Sequence, residues 1–281
     1  MTAFRDKLAA AVAAHDSLLC VGLDPVPERL PVGLSRDAAG VVAFNRRLVE
    51  ATADLVCCFK PNLAFYGALG RPGWDALAAT LEAVPDSVPV LVDAKVGDIG
   101  TTAERWAHML FAELGADAVT VNPYMGGDAV APFTAYADRG VFLVCLTSNP
   151  GSADFERLRV EGGEALYERV ARKAVAWGTP HGNVGLVVGA TRSEAMADLR
   201  RLAPELPFLV PGVGTQGGDL EGTIARGLRG DGAGLLISTS RSVMHASDGA
   251  DFAEAARAAA LALRSEINAA RERVRGVAQP G

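Results

Sequence analysis

Asp93 and Lys95 stand two residues apart at the end of a very apolar run, Val88 to Val92. Residues i and i+2 of a β-strand point to the same side, so the two charges face one way. Burying charge is costly unless it is paired. A structural ion pair would account for these two alone. Asp98 just beyond them and Lys60 earlier in the chain weaken that account, because an alternating Lys–Asp–Lys–Asp row is a costly way to hold a fold. A functional site is then the favoured reading of the row.

A second kind of chemistry is suggested near the C-terminus. The turn Pro211-Gly-Val-Gly-Thr-Gln-Gly-Gly218 precedes a helical segment, and Arg241 follows some way on. Glycines let backbone N–H groups approach an anion closely, and a helix N-terminus favours negative charge. A plain tight turn is the competing reading of the glycines, and Arg241 adds the cation that shifts the balance towards a phosphate.

The elements that must position these residues form one repeating pattern. Short apolar runs read as strands over 17–23, 55–60, 88–95, 118–122, 141–147, 183–189, 207–211 and 234–238. Amphipathic segments read as helices over 38–53, 73–84, 101–114, 127–138, 163–177, 193–202, 219–228 and 251–275, with a further helix at the N-terminus. Continuous apolar strands suit a parallel sheet covered on both faces. Eight strand–helix units predict an α/β chain folded as a closed (β/α)8 barrel, a single domain over residues 1–281. An open doubly wound sheet is the alternative, but no G-x-G-x-x-G follows the first strand. On the barrel reading the polar residues fall where active sites of such barrels are built, at the C-terminal strand ends: Asp24, Lys60, Asp93 with Lys95, Thr147 with Ser148, Gly212 to Gly218, and Ser238 to Arg241. Residues 149–163 form the longest irregular stretch and are a candidate active-site loop.

Composition narrows the class. The 281-residue chain is 49% hydrophobic with a net charge of -6, which argues against a nucleic-acid surface. The longest apolar runs are too short to span a bilayer, and Asp16 interrupts any signal-peptide pattern at the N-terminus. Cys20, Cys57, Cys58 and Cys145 sit in apolar runs without a C-x-x-C pair, so buried thiols and a reducing, cytoplasmic compartment are expected. His15, His108, His181 and His245 show no metal-ligand spacing, and Trp74, Trp106 and Trp177 fall on helices as packing residues.

The segment Asp93-Ala-Lys-Val-Gly-Asp-Ile-Gly-Thr-Thr102 resembles the D-x-K-x-x-D-I-G-x-T signature of orotidine 5′-phosphate decarboxylases, in their longer bacterial form. The likeness extends over nearly the whole chain through Gly22-Leu-Asp24-Pro, Phe59-Lys-Pro-Asn62, Ser148-Asn-Pro-Gly151, Pro211-Gly-Val-Gly-Thr-Gln216 and Ser240-Arg241. One difference is Val96, where Arg is common in long-form relatives. The resemblance implies a carboxy-lyase that turns orotidine 5′-phosphate into uridine 5′-phosphate and CO2 in pyrimidine biosynthesis, with no cofactor and no metal. It implies a charged network of Lys60, Asp93, Lys95 and Asp98, with Lys95 as proton donor. Asp24 and Lys60 would hold ribose hydroxyls, Ser148 the pyrimidine, and Gln216 and Arg241 the 5′-phosphate. Asp98, Ile99 and Thr102 would reach the site of a partner subunit, making a homodimer. Two other readings stand beside it: a metal-dependent sugar-phosphate decarboxylase or synthase sharing the D-x-K-x-x-D strand, which Lys60 would oppose by repelling the metal, and a non-catalytic barrel that senses a phosphorylated ligand.

Overall fold

The computed structural model describes residues 3–213 and 219–277. Eight parallel strands make one sheet: β1 (Leu19–Gly22), β2 (Cys58–Lys60), β3 (Leu91–Val96), β4 (Ala118–Val121), β5 (Gly140–Leu146), β6 (Val184–Val188), β7 (Phe208–Pro211) and β8 (Leu235–Thr239). The sheet order is β2-β1-β8-β7-β6-β5-β4-β3. Isolated parallel bridges Phe59–Val90 and Asn62–Asp93 join its two ends, so the sheet closes into the barrel the strand–helix count predicts. Closure leaves no free edge to pair with another chain.

The helices are α1 (Phe4–His15), α2 (Ala38–Thr52), α3 (Leu63–Gly67), α4 (Arg71–Glu82), α5 (Gly100–His108), α6 (Gly127–Thr134), α7 (Leu166–Gly178), α8 (Ser193–Leu202), α9 (Leu220–Gly227), α10 (Arg241–Met244) and α11 (Phe252–Val277). Side-chain caps start several of them: Asp37 accepts from the Gly40 N–H, Asn62 from Ala64 and Asp219 from Gly222. The expected helix over 101–114 is α5 followed by a π-helical turn, Met109–Glu113. The helix expected from Gly163 begins at Leu166, because Gly162 and Gly163 both take positive φ. Helices α3 and α10 are too short for an apolar period to announce them.

Strand alternation builds two cores. One residue from each strand packs into the barrel interior: Cys20, Cys58, Leu91, Ala118, Phe142, Val187, Leu209 and Leu236. The intervening residues, among them Leu19, Val21, Val92, Val119 and Leu143, join the larger core beneath the helices. Helix α1 stoppers the N-terminal end of the barrel. Its Phe4 packs edge-on to Phe142 at 5.8 Å, and Leu8 and Val12 follow it into the interior. Gly140 makes room for this, since a Cβ there would overlap the Phe4 ring. Lys7 pairs with Asp117 at 2.8 Å, and the same Asp117 oxygen accepts the Val90 N–H. Helix α1 thus covers the N-terminal end of the barrel, with a cavity of about 490 Å³ left between it and the starts of β6 and β8, and the charged strand ends lie at the opposite, C-terminal mouth. All four cysteines are buried and free, as their apolar settings predict. Among the described residues no helix is long and apolar enough to cross a membrane.

Candidate active site

Four charged side chains from three adjacent strands form a row across the C-terminal mouth of the barrel. Asp24 follows β1, Lys60 ends β2, and Asp93 and Lys95 lie on β3. The Lys60 ammonium sits 3.9 Å from Asp24 Oδ2 and 3.3 Å from Asp93 Oδ2. The Lys95 ammonium lies 2.5 Å from Asp93 Oδ1. Lys60 and Asp93 are buried, whereas the Lys95 side chain is 44% exposed and forms the open end of the row.

Burial by itself opposes every charge in this row, so the pairing decides the protonation states. For Lys60, burial is the largest single influence and would lower the pKa. The carboxylates of Asp24 and Asp93 together outweigh it and hold the ammonium above the ordinary lysine value. Burial likewise pushes Asp93 up, but the charges of Lys60 and Lys95 and hydrogen bonds from Lys95 and Thr120 bring it down to about 2. Lys60 is thus held as a cation and Asp93 as an anion at neutral pH.

The carboxylate of Asp93 has no oxygen to spare. Oδ1 accepts from Lys95 Nζ and from Thr120 Oγ1 at 2.8 Å, and Oδ2 accepts from Lys60 Nζ and from Asn62 Nδ2 at 3.1 Å. Asn62 also donates its backbone N–H to Asp24 Oδ1 at 2.9 Å, and Ser240 donates to Asp24 Oδ2 at 2.7 Å. Gly22 stands directly behind this contact, where a Cβ would overlap the Ser240 hydroxyl. Tyr66 of α3 donates to the carbonyl of Leu23, next to Asp24, and accepts from Asn45. A buried polar chain from α2 through α3 therefore fixes the end of β1.

Sequence spacing places Asp93 and Lys95 side by side, and they are, but not because the strand is regular. Lys95 has φ +47°, in the left-handed region, and the β3–β4 register jumps between Val92 and Val96. That backbone costs a residue with a side chain roughly 1–2 kcal/mol, and such strain concentrates at functional positions.

The other expected site residues fall around the same mouth. Ser148 is half-buried just past β5, and its carbonyl accepts from Thr191. Its neighbour Thr147 is held by Glu156, which accepts both the Thr147 N–H, at 2.7 Å, and its hydroxyl. Arg241 is exposed at the first position of α10. Gly212 takes φ +95°, while Gln216, with Gly214, Gly217 and Gly218, lies outside the described residues. Asp98 accepts the N–H of Ile99 and makes no ion pair among the described residues of this one chain, so it stands apart from the row. Ile99 is 57% exposed, and Thr102 is exposed on the first turn of α5. Tyr124, Met125, Phe155 and Leu158, on the loops after β4 and β5, are also exposed, with Tyr124 and Phe155 in edge contact.

Ser240, expected at the end of β8, joins the site through Asp24, whereas Asn62, Thr120 and Glu156 also hold the site together and residue type and spacing single out none of these three individually. Among the described residues, no three His, Cys, Asp or Glu side chains come together in a way that suits a metal ion.

Residues 17–258 match the model of the orotidine 5′-phosphate decarboxylase / HUMPS family. An orotidine 5′-phosphate decarboxylase of Thermomicrobium roseum is 50% identical over 276 residues, which is 98% of both chains. One from an Azoarcus species is 51% identical over 271 residues, 95% of this chain and 99% of the relative. The structure of the Leishmania donovani OMP decarboxylase superposes with a TM-score of 0.85 at 45% identity, covering 96% of this chain and 99% of that one.

Proposed function

The chain belongs to the orotidine 5′-phosphate decarboxylase / HUMPS family, and from that premise we propose that it converts orotidine 5′-phosphate to uridine 5′-phosphate and CO2 with Lys95 as the proton donor. The observation that carries this reading is the Asp24–Lys60–Asp93–Lys95 row, buried at one end and open at Lys95. Asp93 is ionised, and all its lone pairs face donors. A substrate carboxylate brought beside it meets a fixed negative charge, which disfavours the bound ground state. When the C6–carboxylate bond breaks, its electron pair stays on C6 and CO2 leaves. The Lys95 ammonium, already oriented by Asp93, favours that charge and then transfers a proton from Nζ to C6. The neutral amine regains a proton from water.

Because the row sets two lysines against two aspartates, it offers no net attraction to a dianionic phosphate. That attraction falls to Arg241, just after β8, with a hydrogen bond from Gln216, which follows β7 in the sequence; loops after these two strands are the usual phosphate position in barrels of this kind. Asp24 and Lys60 hold the ribose hydroxyls, and Ser148 contacts the pyrimidine. Remote phosphate binding supplies energy used to order the site.

The same reading makes the enzyme a cytoplasmic homodimer in which Asp98, Ile99 and Thr102 complete the partner's site. Two features support it: Asp98 lies apart from the row of its own chain, and exposed apolar side chains gather on the loops after β3, β4 and β5. No cofactor has a role in this chemistry. The Lys60 ammonium, lodged between Asp24 and Asp93, would repel a divalent cation from the position a metal-dependent relative needs. The test is loss of orotidine 5′-phosphate absorbance by purified protein, with and without EDTA. Turnover that ignores EDTA is expected, and turnover that EDTA abolishes would overturn the cofactor-free reading.

A further inference from the structure

We infer that Thr120, in the interior of β4, is the positioning residue that sets the Lys95 ammonium for proton transfer. This rests on the reading of Lys95 as proton donor.

The β3–β4 ladder pairs Leu91 with Ala118 and Val92 with Val119, then resumes only at Val96 with Val121. Between those points Asp93, Ala94 and Lys95 stand opposite Thr120 alone. An insertion of this kind leaves backbone groups without ladder partners and re-aims the side chains it carries. The Lys95 N–H finds its acceptor in the Thr120 hydroxyl, at 2.9 Å. A hydroxyl has one proton, and Thr120 gives it to Asp93 Oδ1 at 2.8 Å. That oxygen is also the one that accepts from Lys95 Nζ.

The bonds form a ring. The Lys95 amide donates to Thr120, Thr120 donates to Asp93, and the Lys95 ammonium donates to the same Asp93 oxygen. One buried hydroxyl therefore ties down both ends of Lys95: the left-handed backbone directly, and the ammonium through the carboxylate it pairs with. The donor and acceptor directions are fixed, because the amide only donates and the ionised carboxylate only accepts. Thr120 is fully buried, and the β-branch restricts the rotamer that presents its oxygen. A threonine kept for packing alone would need neither bond.

Thr120→Val keeps the shape and removes both hydrogen bonds; Thr120→Ser keeps the hydroxyl and removes the methyl group. Both are compared with wild type and Lys95→Ala for turnover of orotidine 5′-phosphate, for binding of uridine 5′-phosphate, and for binding of a uridine 5′-phosphate analogue with an oxyanion at C6. Misplacement of a reacting group by about an ångström costs roughly 10²-fold in rate, so Thr120→Val should lose about that much in kcat. Its affinity for the C6-oxyanion analogue should fall in parallel, while uridine 5′-phosphate binding changes by no more than about threefold. Thr120→Ser should recover most of the loss. If Thr120→Val fails to fold, Thr120→Ala carries the same expectation without the bulk. Turnover near wild type in Thr120→Val or Thr120→Ala, beside an inactive Lys95→Ala, would overturn the role of Thr120 and leave the proton donor standing. A serine variant as impaired as the valine one would do the same. An active Lys95→Ala would instead remove the reading on which the inference rests.

Discussion

Replacing Lys60 by methionine would remove the one cation that lies between Asp24 and Asp93, at 3.9 and 3.3 Å. The Lys60 side chain is only 6% exposed, so water cannot take its place without cost. With an effective dielectric constant near 20, the two attractions are worth roughly 4 and 5 kcal/mol before the cost of burying the ammonium. Breaking a buried pair by removing one partner typically costs about 3–5 kcal/mol, because a charge is left uncompensated. The lower end applies here, since Asn62, Ser240, Thr120 and Lys95 still donate to the two carboxylates. A loss of about 3 kcal/mol lowers the melting temperature of a chain this size by roughly 5 °C.

The pH dependence distinguishes charge from packing. Without Lys60, Asp93 loses the cation that does most to hold its pKa down against burial, so it takes up a proton at a higher pH than in wild type. The folded variant then binds more protons than folded wild type as pH falls, so its stability deficit shrinks in that direction. The assay is urea unfolding of wild type and Lys60→Met at pH 7 and pH 5. The deficit of the variant should be large at pH 7 and smaller at pH 5. Equal stability at pH 7, or a deficit that ignores pH, would refute the claim that charge pairing holds this row.

Three further outcomes follow from neighbouring contacts. Gly22→Ala places a methyl group on the Ser240 hydroxyl and displaces it from Asp24; overpacking of this kind costs about 1–3 kcal/mol, and uridine 5′-phosphate titration should show weaker binding. Tyr66→Phe removes the hydroxyl that joins Asn45 to the Leu23 carbonyl, and should lower the unfolding free energy by about 1–3 kcal/mol, whereas an unchanged urea midpoint would contradict the positioning of β1 from behind. Holding Asp93 at about 2 rather than the 3.8 of a free aspartate corresponds to roughly 2 kcal/mol. Because that value is depressed on folding, the contribution is present above about pH 4 and lost as pH falls through 2; Asp93→Asn should therefore show a shallower acid loss of stability than wild type, and parallel curves would count against it.

The barrel was legible because each strand is a continuous apolar run and each helix carries its own period, and the charged row was legible because its members end those runs. Other parts were hidden for physical reasons. Thr120 reads as an ordinary β-branched residue in a buried strand, and only the register jump opposite it exposes its role. Asn62 lies within a recognisable motif, but its two acceptors, Asp24 and Asp93, come from different strands that only barrel closure brings together. Glu156 acts on Thr147 from within an irregular loop that has no period to read. The spacing argument for Asp93 and Lys95 assumed a regular strand, whereas the left-handed backbone of Lys95 delivers the same pairing by another route.

The most direct test of the central claim is turnover of orotidine 5′-phosphate by Lys95→Ala, measured beside its binding of uridine 5′-phosphate. Lys95 is half exposed and its removal leaves the buried Asp24–Lys60–Asp93 pairs in place, so the variant should fold and bind. General acid catalysis is worth about 10²–10⁴-fold, and loss of the cation adds to it, so turnover should fall by at least about 10³-fold with binding nearly unchanged. Turnover within about tenfold of wild type would contradict Lys95 as the proton donor.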